Sequence, residues 1–349
     1  MIRDKILGLI HQKGALSVAE YTALCNDHYY ATRDPLGRSG DFITAPEVSQ
    51  MFGELIAAWL IDAWQKIGAP ERFTLLECGP GRGTLMSDLL RTAQQVPAFM
   101  DGADIYLMET SPALIQKQKN TINHADLRWA ASLDELPANQ PLLLVANEFF
   151  DALPVHQLIW SGGEWRERVI RVSEAYDDGT LVFGDRPAHE ELIAGIPNTL
   201  PAPEEGDIFE VSPVQSAYAD SIARHILAYG GAVIIIDYGH VQSAYGDTFQ
   251  AVRAHKMVDP LSELGEVDLT FHVDFQNIKN VFEETSLEVS PSQTQGQFLT
   301  ACGIYQRAAF LKAKASEAQA QEIDAALHRL CDPAQMGRLF KVFSAYRSV

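Results

Sequence analysis

Short, almost unbroken apolar runs recur through the middle of the chain: FTLLEC at 73–78, IYLME at 105–109, LLLVAN at 142–147 and AVIIIDY at 232–238. Runs of this length suit parallel strands covered on both faces. Segments of helical period, TLMSDLLRTAQQ and SPALIQKQKNTI, follow the first and second runs, and LRWAASLDEL should supply a further short strand. Strand and helix in alternation predict a doubly wound α/β sheet.

The flanks read differently. Ser17 and Glu20 have capping-box spacing before YTALC, and Thr44 and Glu47 repeat it with Pro46 in the permitted first turn. SQMFGELIAAWLIDAW then carries a broad apolar stripe, which predicts a core-facing helix. YYATRDPLGRSGDFIT, between these helices, reads as a long loop of the kind that often serves function. Over 155–186, alternating runs separated by Gly-Gly and Asp-Asp-Gly predict a β-meander inserted between the fourth and fifth parallel strands. The Pro-rich stretch 195–207 reads as a linker back, residues after 247 as further strands and a helix, and the end as two helices at roughly 305–331 and 334–346. The expected division is an N-terminal helical lid (1–66), a first half of the core (67–154), the insert and linker (155–210), a second half (211–304) and C-terminal helices (305–349).

Composition narrows the classes. A chain of 349 residues fits one large or two modest domains. No apolar stretch approaches the ~20 residues that cross a bilayer. The mixed-charge N-terminus matches neither a secretory signal nor a transit peptide, so the expectation is a cytoplasmic protein. Cysteines at 25, 78, 302 and 331 have no metal-ligand or redox spacing, and no metal is expected. A formal charge of −19 argues against nucleic acid as a partner. Residues 174–210 hold ten of the acidic side chains and one basic residue, Arg186. That excess is either a solvated face or an attraction for a basic protein substrate.

The strongest chemical signal is LLECGPGRGTL. A strand ends at Glu77, glycines follow at 79, 81 and 83, and a helix begins near Thr84. Glycines allow a sharp turn and close approach of a ligand to backbone. The spacing G-x-G-x-G places Thr84 where a dinucleotide fingerprint needs its third glycine. An acid at Glu77 can pair with the ammonium of a methionine moiety and would repel a pyrophosphate. Glu109, ending the second strand, can accept ribose hydroxyls, which fits S-adenosylmethionine and NAD alike. Ala131, Ser132 and Leu133 are expected beside an adenine ring. Asn147, Glu148, Phe149, Phe150 and Asp151, beyond the fourth strand, should face the reacting group, with Glu148 able to hold a guanidinium and the Phe pair able to meet a cation or to be core. Asp237 with His240, and His272 with Asp274, read as structural or substrate-edge pairs rather than metal ligands.

Taken together and in order, GDFITAPEVSQMFGELIAAW, ECGPGRGTL, NEFFDALPVHQ, DYGH, DTFQAVRAHKMVDPL, DLTFHVDF, QGQFLTACGI and DPAQMGRLFKVF resemble the MidA-like methyltransferase family. The resemblance implies a Rossmann-like class I methyltransferase with a helical lid, inserted elements and S-adenosylmethionine as cofactor. Carried over by position, Glu77, Gly79, Gly81, Gly83 and Glu109 hold the cofactor, Gly40, Phe42 and Thr44 line its pocket from the lid, and Asn147, Glu148 and Asp151 border the acceptor. The family's mitochondrial branch methylates a protein arginine of a complex I core subunit, which makes a respiratory subunit the expected partner. A non-catalytic assembly chaperone and, more remotely, an NAD-dependent oxidoreductase remain as alternatives.

Overall fold

The apolar runs of the middle third do pair as parallel strands, in a computed structural model that describes residues 2–32, 44–175, 179–253 and 256–349. We label six of the nine described strands of this sheet β1 (Phe73–Cys78), β2 (Ala103–Met108), β3 (Arg128–Ala130), β4 (Leu142–Asn147), β5 (Gly231–His240) and β6 (Phe340–Arg347). Their order is β6-β5-β4-β1-β2-β3, parallel from β3 to β5, with β6 antiparallel to β5. Every residue of β1 and of β4 is buried, as continuous apolar runs require. Strand order reverses between β1 and β4, and open α/β sheets place ligands beyond the carboxyl ends of their strands at such a point.

Helices α1 (Gln50–Lys66), α2 (Thr84–Ala93) and α3 (Pro112–Thr121) belong to the same unit. Ser49 caps α1 by accepting the Met51 N–H, and Phe52, Leu55, Ile56, Leu60 and Trp64 enter the core from it. Trp64, Phe73 and Phe99 form an aromatic knot, with Phe73 and Phe99 centroids 4.9 Å apart. Each such ring removed from water contributes about 1.5–3 kcal/mol before entropy is counted.

The second unit gathers residues up to 42, 151–218 and 242–274. Gly162 and Gly163, both at positive φ, turn the His156–Ser161 strand into Glu164–Val172, and Leu181–Pro187 pairs with the latter. The expected meander is therefore present. It is wider than expected, because Ile208–Val211 returns onto 156–161 and Leu16–Ser17 joins 164–172. The Ser17–Glu20 capping box forms in both directions at 2.9 and 3.0 Å. From these helices Ile6, Ile10, Tyr21 and Cys25 pack with Ile170, Leu181, Leu269 and Phe271.

Several expectations need correcting. Residues 2–32 do not group with 44–66 in one N-terminal body, because their apolar stripe is buried by the meander while 44–66 pack with the central sheet. Thr44 makes no side-chain cap, and its helix is one turn, Ala45–Val48. Tyr29–Thr32 continue a helix rather than beginning a loop. The 305–331 segment breaks into Ile304–Lys312 and Glu317–Cys331, with a capping box at Ser316. Within 334–346 only Met336–Leu339 is helical, and Phe340–Arg347 is β6. No helix among the described residues is long and apolar enough to cross a membrane.

Candidate functional site

The carboxyl edge of β1 and β2 is built from backbone first. Past Cys78 the chain turns through Gly79, Gly81 and Gly83, whose φ values are 62°, 51° and 83°. These left-handed conformations cost an L side chain roughly 1–2 kcal/mol each, and glycine almost nothing. A Cβ at Gly83 would also stand 2.8 Å from Ile122 Cδ1, and one at Gly79 3.0 Å from the Phe149 ring. The turn thus presents bare backbone and opens α2, with Gly83 as its N-cap.

Glu77 lies under this turn, 3% exposed. The Met86 N–H, in the first turn of α2, donates to its carboxyl, but Oε2 is enclosed with no partner among the described residues. Burial pushes the carboxyl up to about 8, and the Met86 bond offsets only part of that. A buried acid with an orphaned oxygen favours a cation. It fits the ammonium of a methionine moiety and would repel a pyrophosphate.

Glu109 follows β2 on the same sheet edge, Gly79 N–H donating to Met108 O at 3.2 Å. Its Oε1 accepts the N–H groups of Thr110 and Ser111 at 2.9 and 2.8 Å, and its Oε2 accepts Gln118 Nε2 at 3.2 Å. Burial raises its pKa against those three bonds. Ser132 lies beyond β3 at the start of a single 3-10 turn, Leu133–Glu135, with no capping bond from its side chain. A cradle of bare backbone with a buried acid beneath it and a second acid on the neighbouring strand end fits the donor set S-adenosylmethionine requires.

Beyond β4, Asn147 and Glu148 stand together. Glu148 has φ 52°, one of the few left-handed non-glycine residues described, and its N–H donates to Ile236 O at 2.9 Å. Its Oε1 accepts both Ala45 N–H and Asn147 Nδ2 at 3.1 Å. A carboxylate oxygen can only accept, so this contact fixes the amide with Nδ2 inward. Asn147 Oδ1 is consequently the other end, buried and without a partner among the described residues. Phe150 is core, and Phe149 meets it edge-on at 5.4 Å. Asp237 accepts the Phe150 and Tyr238 N–H groups, the structural role expected of it.

The expected trio of Asn147, Glu148 and Asp151 is not one cluster within either unit. Asp151 groups with the second unit, where it and Asp268 hold the Tyr30 phenol well above its usual range, after burial, and Tyr30 donates to Asp268 at 2.8 Å. Thr44 is described and stands next to the Ala45 N–H that meets Glu148. Gly40 and Phe42 lie outside the described residues. Asp274 accepts Ser243 Oγ at 2.6 Å, and among the described residues no group of His, Cys, Asp and Glu could hold a metal. Of the acidic stretch, Asp185 pairs with Arg166, Glu205 accepts from Ser161 and Gly162, and Glu210 is turned inward onto Gln157 and Thr248.

Sequence reasoning missed Gln118. It is fully buried on α3 and bonds Gly81 O and Trp129 Nε1 as well as Glu109. A helical glutamine reads as solvated, and nothing local in the sequence marks this one. Thr84 Oγ1 donates to Glu47, a pairing that the capping-box reading of Glu47 did not foresee.

Comparison with known proteins agrees with this geometry. Residues 55–292 match a family described as S-adenosyl-L-methionine-dependent methyltransferases. The chain is 35% identical to the protein arginine methyltransferase NDUFAF7, mitochondrial, of Xenopus tropicalis, over 96% of this chain and 83% of that one. It is 35% identical to the Drosophila melanogaster homologue over 100% and 84%. A solved structure from Burkholderia thailandensis with S-adenosyl-homocysteine bound superimposes with a TM-score of 0.83 at 25% identity, covering 99% of this chain and 92% of that one. These matches bear out the resemblance to MidA-like proteins and remove the oxidoreductase alternative. With the G-x-G-x-G turn, the buried Glu77 and a Rossmann-like sheet already in place, they show that the chain belongs to the S-adenosyl-L-methionine-dependent methyltransferase family.

Proposed function

We propose that this enzyme methylates a guanidinium nitrogen of an arginine in a protein, with a subunit of a complex I-type respiratory enzyme as the acceptor. The observation that carries the reading is identity of 35%, over nearly the whole chain, to relatives named as protein arginine methyltransferases. Asn147 and Glu148 support it, since together they offer an orphaned amide oxygen and a carboxylate to a planar, N–H-rich cation.

In this reading Glu77 holds the cofactor's ammonium, Glu109 its ribose, Gly79, Gly81 and Gly83 its backbone cradle, and Ser132 the adenine edge. Thr44 belongs to the same proposed pocket. Bound S-adenosylmethionine supplies an electrophilic sulfonium methyl. Asn147 Oδ1 accepts one guanidinium N–H and thereby orients the nitrogen lone pair for in-line attack, a positioning effect. Glu148 offsets the cation's charge and takes up the proton that the nitrogen loses as its new N–C bond forms and the C–S bond breaks towards sulfur.

The test is incubation of the purified protein and isotopically labelled S-adenosylmethionine with a proteome from cells that lack it, followed by mass spectrometry. Label on arginine of a respiratory subunit is expected. Label confined to another residue type or to small molecules overturns the proposal.

A further inference from the structure

We propose that Gln118 is a positioning residue of the cofactor site, setting the Glu109 carboxylate for the ribose and tying it to the glycine turn. The inference rests on the reading of Glu109 as the ribose acceptor and goes beyond it.

Gln118 is fully buried. Its Nε2 donates to Gly81 O at 2.8 Å and to Glu109 Oε2 at 3.2 Å, while its Oε1 accepts the Trp129 indole N–H at 2.7 Å. An indole nitrogen can only donate and a carboxylate can only accept, so the amide has one permitted orientation. Both of its N–H groups are then spent, one on each side of the candidate cofactor cradle. The side chain joins four segments: the turn after β1, the end of β2, helix α3 and strand β3. Helix α3 runs close to the turn: a Cβ at Gly83 would be in ordinary contact with Gln118 Cα at 3.4 Å and would clash with Ile122 Cδ1 at 2.8 Å.

The consequence for Glu109 follows from counting lone pairs. Thr110 and Ser111 fill Oε1, and Gln118 takes one of the two sites on Oε2. The acceptor direction left on Oε2 is set by where Gln118 sits. Gln118 therefore governs how strongly the ribose hydroxyl at that site is distinguished from hydrogen, without touching it.

Titration calorimetry with S-adenosylhomocysteine and its 2′-deoxy and 3′-deoxy analogues tests this on the full-length protein. The parent should lose about tenfold in affinity for at least one analogue, the scale of a hydrogen bond to a charged group. Gln118→Met keeps the volume and removes both donors. It should weaken S-adenosylhomocysteine about tenfold and shrink the deoxy penalty to about twofold, while kcat at saturating cofactor moves little. A penalty that persists undiminished in Gln118→Met overturns the proposal and leaves Glu109 as the ribose acceptor. No penalty in the parent overturns the Glu109 reading and this proposal with it.

Gln118→Glu guards against a folding artefact. Between the Glu109 carboxylate and the Gly81 carbonyl its new carboxyl is driven towards the protonated form, which can still donate one bond. Relative to the parent at the same pH, its affinity should be poor near about pH 8 and recover towards about pH 6. A ratio flat across that range contradicts the donor role.

Discussion

Two neighbouring strand ends of one sheet reach left-handed backbone by opposite means. After β1 the chain uses glycine at 79, 81 and 83, so the turn is nearly free of strain and leaves no side chain in the cradle. After β4 it places Glu148 at φ 52°, a conformation that costs roughly 1–2 kcal/mol, and keeps the carboxylate. On the proposed assignment of the site, the difference separates two tasks. A cofactor cradle needs atoms absent, whereas an acceptor edge needs a charged group present at one spot, with the strain offset by the Ala45, Asn147 and Ile236 bonds.

The largest effect should come from removing that group. Glu148→Gln keeps the shape but not the charge, and its carbonyl oxygen can still accept Ala45 N–H and Asn147 Nδ2. Methyl transfer should fall by about 10²–10⁴ in kcat, the range for a positioned proton acceptor, while the dissociation constant of S-adenosylhomocysteine stays within about threefold. Equal losses in rate and cofactor affinity would erase the distinction between the two edges. Next in size, Gly83→Val brings a branched side chain to φ 83° and against Ile122. Cofactor affinity should drop by about 100-fold with thermal stability lowered by about 2–4 kcal/mol; unchanged calorimetric affinity would show that the turn is not the cradle.

The two edges were not equally readable in the sequence. Glycines at fixed spacing after a buried run announce a turn, and the bounds of β1 and β4 fall where the apolar runs fall. Nothing local announces that Glu148 is left-handed or that Ala45 N–H meets it, because both depend on chain brought from a hundred residues away. The same reason explains β6. Met336, Leu339, Phe340 and Phe343 recur at helical spacing, yet Phe340, Val342 and Ala345 are buried in a strand against β5. Local period permitted both, and pairing with β5 decided. Gln118 failed to show for the same reason, its side-chain bonds all going to residues outside its own helix.

Glu77 sharpens the cofactor side through pH. Its folded pKa, about 8, lies above the ordinary carboxyl value. Folding without cofactor therefore favours the protonated form: the stability this group contributes is fully present below the unfolded value and is lost as pH rises through about 8. A bound ammonium reverses the preference by stabilising the ionised carboxylate. Binding near neutral pH should then release close to one proton, and affinity should climb by up to about tenfold per pH unit until it flattens near the folded pKa. Calorimetry in two buffers of different ionisation enthalpy reads the proton directly, and Glu77→Gln should abolish its release. Absence of proton release from the parent would remove Glu77 from the ammonium.

The smallest effect calibrates the strain on which the comparison depends. Ala69 has φ 49°, is exposed, and lies just past the end of α1, its N–H donating to Trp64 O at 2.9 Å. Like Glu148 it is a left-handed non-glycine residue, but no part of the proposed site lies there. Ala69→Gly keeps the backbone bond and removes the Cβ that opposes this conformation. The gain from relieved strain, roughly 1–2 kcal/mol, exceeds the extra unfolded-state entropy of glycine, roughly 0.5–1 kcal/mol. Denaturant melts should therefore show stabilisation of about 0.5–1 kcal/mol with methyl transfer unchanged. A neutral or destabilising result would mean that left-handed backbone is cheap in this protein, and Glu148 would lose its standing as a residue held against a cost.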